Sequence, residues 1–183
     1  MKVCIAILYA LVKMAKAINF YVHADNATRF LYRNTYRFLK ERMEKECEAL
    51  CIKKPFLIVA PMSGKTDGTC INGRVVVVDP CKTRNIMQTF RHELRHAWQY
   101  RYQRDLFDWC WIYLHPRTKK DTAWYWLDLS EMDARYYSMT CDVHGPINDI
   151  TVSQAQKMLR EETYLQEMHA LAYAYGVLPR SLA

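Results

Sequence analysis

The stretch His92-Glu93-Leu94-Arg95-His96 constrains this chain more than any other. Histidines four apart stand one above the other only on a helix, so two imidazoles sharing one partner require helix here. The flanks agree. Phe90, Leu94, Ala97 and Arg101 recur at helical spacing as a mainly apolar stripe, while His92, His96, Gln99 and Gln103 fall on another face. One face packs on a core and the other looks into a cleft. Two imidazoles on that second face can share a metal ion, and Zn²⁺ is the expected one. Glu93, beside the first of them, reaches a water in an open coordination position and takes its proton. The expected chemistry is zinc-dependent hydrolysis of a peptide bond. The chain has only six histidines among 183 residues, so this spacing around a glutamate is an uncommon accident.

Two histidines leave a third ligand to find. Ser130-Glu131-Met132-Asp133-Ala134-Arg135 is the best source, with Asp128 or Ser130 as helix cap. Glu131, Ala134, Ser138 and Cys141 then share a face that is small apart from the carboxylate. A helix of that kind lies close to its neighbour while one acid reaches the metal. Asp133 points roughly 200° away from Glu131, which suits it as a partner to a histidine or to Arg135 instead. His144 and His115 are the alternative third ligands. Tyr136, Tyr137 and His144 are candidates for a second donor to a developing oxyanion.

Upstream of the pentad, Pro55 to Ala60 is a short apolar run that reads as a buried strand. Thr69 to Ile71 and Arg74 to Val78 flank Asn72-Gly73, the dipeptide best suited to a type I′ hairpin turn. Thr83 or Asn85 starts the metal-binding helix. Gly64-Lys65-Thr66 copies the end of a phosphate loop, but Val59 stands where its first glycine belongs, so a polar turn is expected there.

The pairing of His92-Glu93-Leu94-Arg95-His96-Ala97-Trp98-Gln99 with a later Glu131-Met132-Asp133-Ala134 resembles the small gluzincin-type metallopeptidases, including ImmA/IrrE-like proteins and related minimal zincins of phages and mobile elements. The resemblance covers residues 55 to 142 in layout and about a dozen residues in detail. It implies His92 and His96 as ligands, Glu93 as base and Glu131 as third ligand. It also implies that the hairpin edge holds an extended peptide. Arg95 departs from the uncharged residue common at its position in that group. A SprT-like protease or regulator associated with DNA, with His144 as third ligand, is the alternative. A non-catalytic module braced by its metal is another, although Glu93 has no purpose there.

The implied fold is α+β: a small, mainly antiparallel sheet with a hairpin, packed by an N-terminal helix, the active-site helix and downstream helices. A single domain over residues 1–183 is expected, with its core about 24–142 and one amphipathic C-terminal helix about 151–176, capped by Gly176. Asp25 or Asn26 caps a helix running to about Leu50. Its apolar face is read as Ala27, Phe30, Leu31, Phe38 and Leu39, and its Arg29, Arg33, Arg37 stripe as solvent face. Trp109, Trp111 and Tyr113 alternate as in an aromatic hairpin.

Net charge is +7, and residues 82 to 120 hold nine Lys or Arg against three acids. That field suits acidic partners or nucleic acid, though no nucleic-acid motif supports the latter. The expected partner is a protein or peptide substrate. Seven irregularly spaced cysteines without a CxxC pair point to a reducing, cytoplasmic compartment. The run Val3 to Val12 reads as a buried first helix, too short to span a bilayer. Residues 1–17 also loosely mimic a secretion signal.

Overall fold

The structure is a computed structural model that describes residues 2–64, 66–118 and 121–178. It is a mixed α and β protein with many helices and one three-stranded sheet among the described residues. The chain divides into two compact units, Met1–Trp98 and Gln99–Ala183.

The first unit opens with α1 (Lys2–His23) and α2 (Asn26–Ala49). Asp25 caps α2, its carboxylate accepting from the Thr28 amide at 2.8 Å. The inward face of α2 is Tyr32, Thr35, Leu39, Met43 and Cys47, an i, i+3, i+4 series. Phe30 and Leu31, expected on that face, are 69% and 43% exposed. The correction follows from phase: Tyr32 and Leu39 set the buried stripe, and Phe30 falls outside it. The buried first helix expected over Val3 to Val12 falls mostly on side chains outside the described residues of α1. α1 is apolar nearly all round, and its inner side, with Ala17 and Met14, meets Ile58, Ala60, Met62 and Val77. Leu8, Leu11 and Val12 lie at the surface.

The sheet comprises β1 (Phe56–Val59), β2 (Gly68–Ile71) and β3 (Val75–Val78) in the order β1-β3-β2. β2 and β3 form the expected antiparallel hairpin, with Asn72 at φ 50° and Gly73 at φ 65°. Both angles are those a type I′ turn needs. β1 pairs parallel to β3, so the sheet is mixed rather than mainly antiparallel. The reason lies in β3 itself. Val76, Val77 and Val78 are wholly buried, and a strand apolar on both faces belongs in the centre, flanked on each side. β2 is left as an edge.

α3 (Ile86–Tyr102) follows. Asn85 caps it, its side-chain oxygen accepting from the Met87 and Gln88 amides at 3.1 and 3.2 Å. Arg91 grips the buried Glu46 of α2 through Nε and Nη2 at 2.8 to 3.0 Å. Tyr32 donates to Asp79 at 2.6 Å, and Asp79 also accepts from the Met62 and Cys81 amides.

The second unit is helical. α4 (Arg104–Trp109), a π turn (Cys110–Leu114) and α5 (His115–Thr118) run on from one another where an aromatic hairpin was expected. No glycine or Asn-Gly interrupts this stretch, and Leu106, Trp109, Cys110 and Leu114 bury at helical, not alternating, spacing. Then come α6 (Thr122–Trp126), α7 (Leu129–Thr140), a short 3-10 turn at Pro146–Asn148, α8 (Val152–Arg160) and α9 (Tyr164–Ala174). The expected single C-terminal helix is therefore two. Glu162 adopts φ 60°, and the Thr163 amide turns back to Met158 O at 2.9 Å, the bonding that ends a helix. Gly176 ends α9 by the same means, the Val177 amide reaching Ala172 O at 3.0 Å. No helix among the described residues is long and apolar enough to cross a membrane.

Candidate metal centre

His92 and His96 lie one turn apart on α3, the first half-buried and the second buried. Their rings cross at 88°, and their Nε2 atoms stand 3.1 Å apart. Two nitrogens on one tetrahedral Zn²⁺ at normal bond lengths are separated by about 3.3 Å. Such a spacing suits either an imidazole–imidazole hydrogen bond or a shared ion.

Glu93 is buried and lies against the backbone of β2. A Cβ on Gly68 would come within 2.7 Å of Glu93 Oε1 and 2.8 Å of Thr89 Cγ2. Glycine is thus what allows the carboxylate to sit beside the edge strand. Thr89 is held by Thr83 at 2.7 Å and Asp67 at 3.1 Å, which ties the start of β2 to α3. Desolvation, and then the Glu93 charge, push the Cys70 thiol well up, so it stays neutral. Arg95 is wholly buried with its guanidinium 3.7 Å over the Trp98 ring.

Glu131 occupies the first turn of α7, where the helix dipole favours a carboxylate. Asp128 caps this turn, accepting from the Ser130 amide at 2.9 Å and the Ser130 hydroxyl at 2.7 Å. Burial, and then the Glu131 charge, push the Asp128 carboxyl up to about 6. Arg135, one turn on, brings Nη1 to 4.0 Å from Glu131 Oε2 and is anchored through Nη2 on Trp126 O.

Gln99 binds the last turns of α3 to α7. Its Nε2 donates to Ser130 O at 2.9 Å and to Asp133 Oδ2 at 2.7 Å, and both Gln99 and Asp133 are wholly buried. Asp133, read as a partner to a histidine or Arg135, thus takes the Gln99 amide. Gly145 closes over it, since a Cβ there would lie 2.2 Å from Asp133 Oδ1. His115 stacks on Trp111 at 4.0 Å, and His144 is exposed beside Asp142. Of the possible oxyanion donors, Tyr137 is buried and Tyr136 donates to Asp142 at 3.1 Å.

Of the expected ligands, His92 and His96 belong to the first unit and Glu131 to the second, and each offers one ligand atom of a kind that could hold a metal ion. No family model, curated protein or solved structure matches the chain. The site is therefore read from its own chemistry. Gln99, Gly68 and Gly145 escaped the sequence reading as site residues. Their one signal was scarcity: the chain has five glycines, and two of them abut Glu93 and Asp133.

Proposed function

We propose that this chain is a zinc-dependent peptide hydrolase of minimal, gluzincin-like design. The observation that carries the reading is the His92–His96 pair, with Nε2 atoms 3.1 Å apart on a helix whose next residue is a buried glutamate. Two imidazole nitrogens and one carboxylate are the donor set of a catalytic zinc site, which keeps a coordination position open.

His92 and His96 would each give Nε2 and Glu131 one carboxylate oxygen. When bound, Zn²⁺ supplies Lewis acidity that brings a ligated water's pKa towards about 7 and polarises a substrate carbonyl. Glu93 accepts the proton of the attacking water on a carboxylate oxygen and returns it to the leaving amine. Burial beside Gly68 keeps that carboxylate from wandering. An extended substrate would pair with the free edge of β2, since an edge strand offers unpaired backbone groups. Arg135 and the Asp128 cap hold the turn from which Glu131 projects, and Gln99 fixes that turn to the end of α3.

The direct test is Glu93→Gln. It keeps both imidazoles and the carboxylate of Glu131, so bound zinc is unchanged while hydrolysis of a fluorogenic peptide library drops by about 10²-fold or more. Wild-type turnover in that variant would refute the mechanism.

A further inference from the structure

The end of α1 and the start of α2 enclose an open groove of about 430 Å³, lined by Tyr21, Asn26, Arg29, Phe30, Arg33 and Tyr36. From it we infer a second binding site, one that takes single-stranded nucleic acid. The lining alternates cations with aromatic rings, a pairing suited to a ligand that is both anionic and planar. Neither arginine enters an ion pair among the described residues. From Asn26 to Lys40, α2 bears four basic residues (Arg29, Arg33, Arg37 and Lys40) and no acid.

Arg29, Arg33 and Arg37 are all exposed and recur at i, i+4, i+8. Four residues of helix advance about 6 Å, close to the step between successive phosphates of an extended strand. Phe30 is 69% exposed, and a bare ring of that size among guanidiniums is a platform for a base. The Tyr21 ring beside it is braced edge-on by Tyr32 at 6.1 Å. Ring faces can stack only on bases free of a duplex, which selects single strands over double. Asn26 adds a side-chain amide that can both donate to and accept from a base edge. The charge stripe, read from sequence as solvent face, acquires this role because the aromatic rings line the same groove.

The test is fluorescence anisotropy of a labelled short oligothymidylate with the full chain, at about 50 mM and about 200 mM salt. Saturable binding is expected, weakening with a log–log slope of about −0.7 per phosphate contacted. Arg29→Ala with Arg33→Ala lowers affinity about 10-fold or more and flattens the slope. Phe30→Ala, which removes no charge, lowers affinity about 5-fold or more and leaves the slope alone. Lys157→Ala with Arg160→Ala on α8 serves as the control and leaves binding intact, and circular dichroism confirms that every variant is folded. No binding at low salt, equal loss in the α8 control, an unaffected Phe30→Ala, or tighter binding to duplex DNA or anionic vesicles would each overturn the inference.

Discussion

Gly68 decides how close the edge strand can come to Glu93. An added methyl would meet Glu93 Oε1 at 2.7 Å and Thr89 Cγ2 at 2.8 Å. Thr89 is itself pinned by Thr83 and Asp67, so the Glu93 carboxylate is the group that moves. Gly68→Ala should therefore bind zinc as wild type does yet hydrolyse peptide more slowly, with stability lower by about 1–3 kcal/mol. Undiminished turnover would show that Glu93 does not need its place beside β2. Asp128 gives a second prediction at this scale. Its carboxyl, pushed up to about 6 by burial, is better protonated folded than unfolded. The stability it contributes is complete below about pH 4, the ordinary carboxyl value, and is lost as pH rises through about 6. In chelator-treated protein, Asp128→Asn should remove that dependence, gaining on the order of 3 kcal/mol over wild type between pH 4 and pH 7. Parallel denaturation curves for the two proteins would contradict it. The histidines and Glu93 were legible from sequence because their spacing is a property of one helix. Gly68 and the Gln99–Asp133 pair were not, since each matters only through a residue distant in the chain.

Elements were legible where local chemistry acts alone. Asp25 and Asn85 cap α2 and α3, and Asn72-Gly73 turns the hairpin, because cap and turn need only neighbouring residues. Strand order was not legible, because the place of β1 depends on which strand is buried on both faces. The stretch from Arg104 to Thr118 misled for a related reason. Alternating aromatics satisfy a strand pattern, yet burial of Leu106, Trp109, Cys110 and Leu114 follows the helix. The break between α8 and α9 was hidden because Glu162 is an unusual residue in a left-handed conformation, with φ 60°. That conformation costs a side chain about 1 kcal/mol or more, and glycine is free of the penalty. Glu162→Gly should thus raise the unfolding free energy by about 1 kcal/mol in urea melts. A fall instead would mean that the chain prefers one continuous helix there.

Over the whole molecule, the net charge of +7 is distributed to two purposes. Arg91 turns inward to the buried Glu46, whereas Arg29, Arg33 and Arg37 are exposed, the first two lining the aromatic groove. In the proposed centre a bound ion would also couple to folding, because its ligands would be gathered only in the native state. Zinc at about 100 times its dissociation constant should stabilise the protein by about 2.7 kcal/mol, and a chelator should reverse the rise in melting temperature. Everything proposed for the metal centre stands on His92, His96 and Glu131 holding the same ion. Elemental analysis of purified wild type, His96→Ala and Glu131→Ala tests this most directly. One zinc per wild-type chain, lost in both variants, is the predicted result. A wild type that takes up no zinc on reconstitution would contradict the metal centre, and zinc retained at full stoichiometry in Glu131→Ala would remove Glu131 from it.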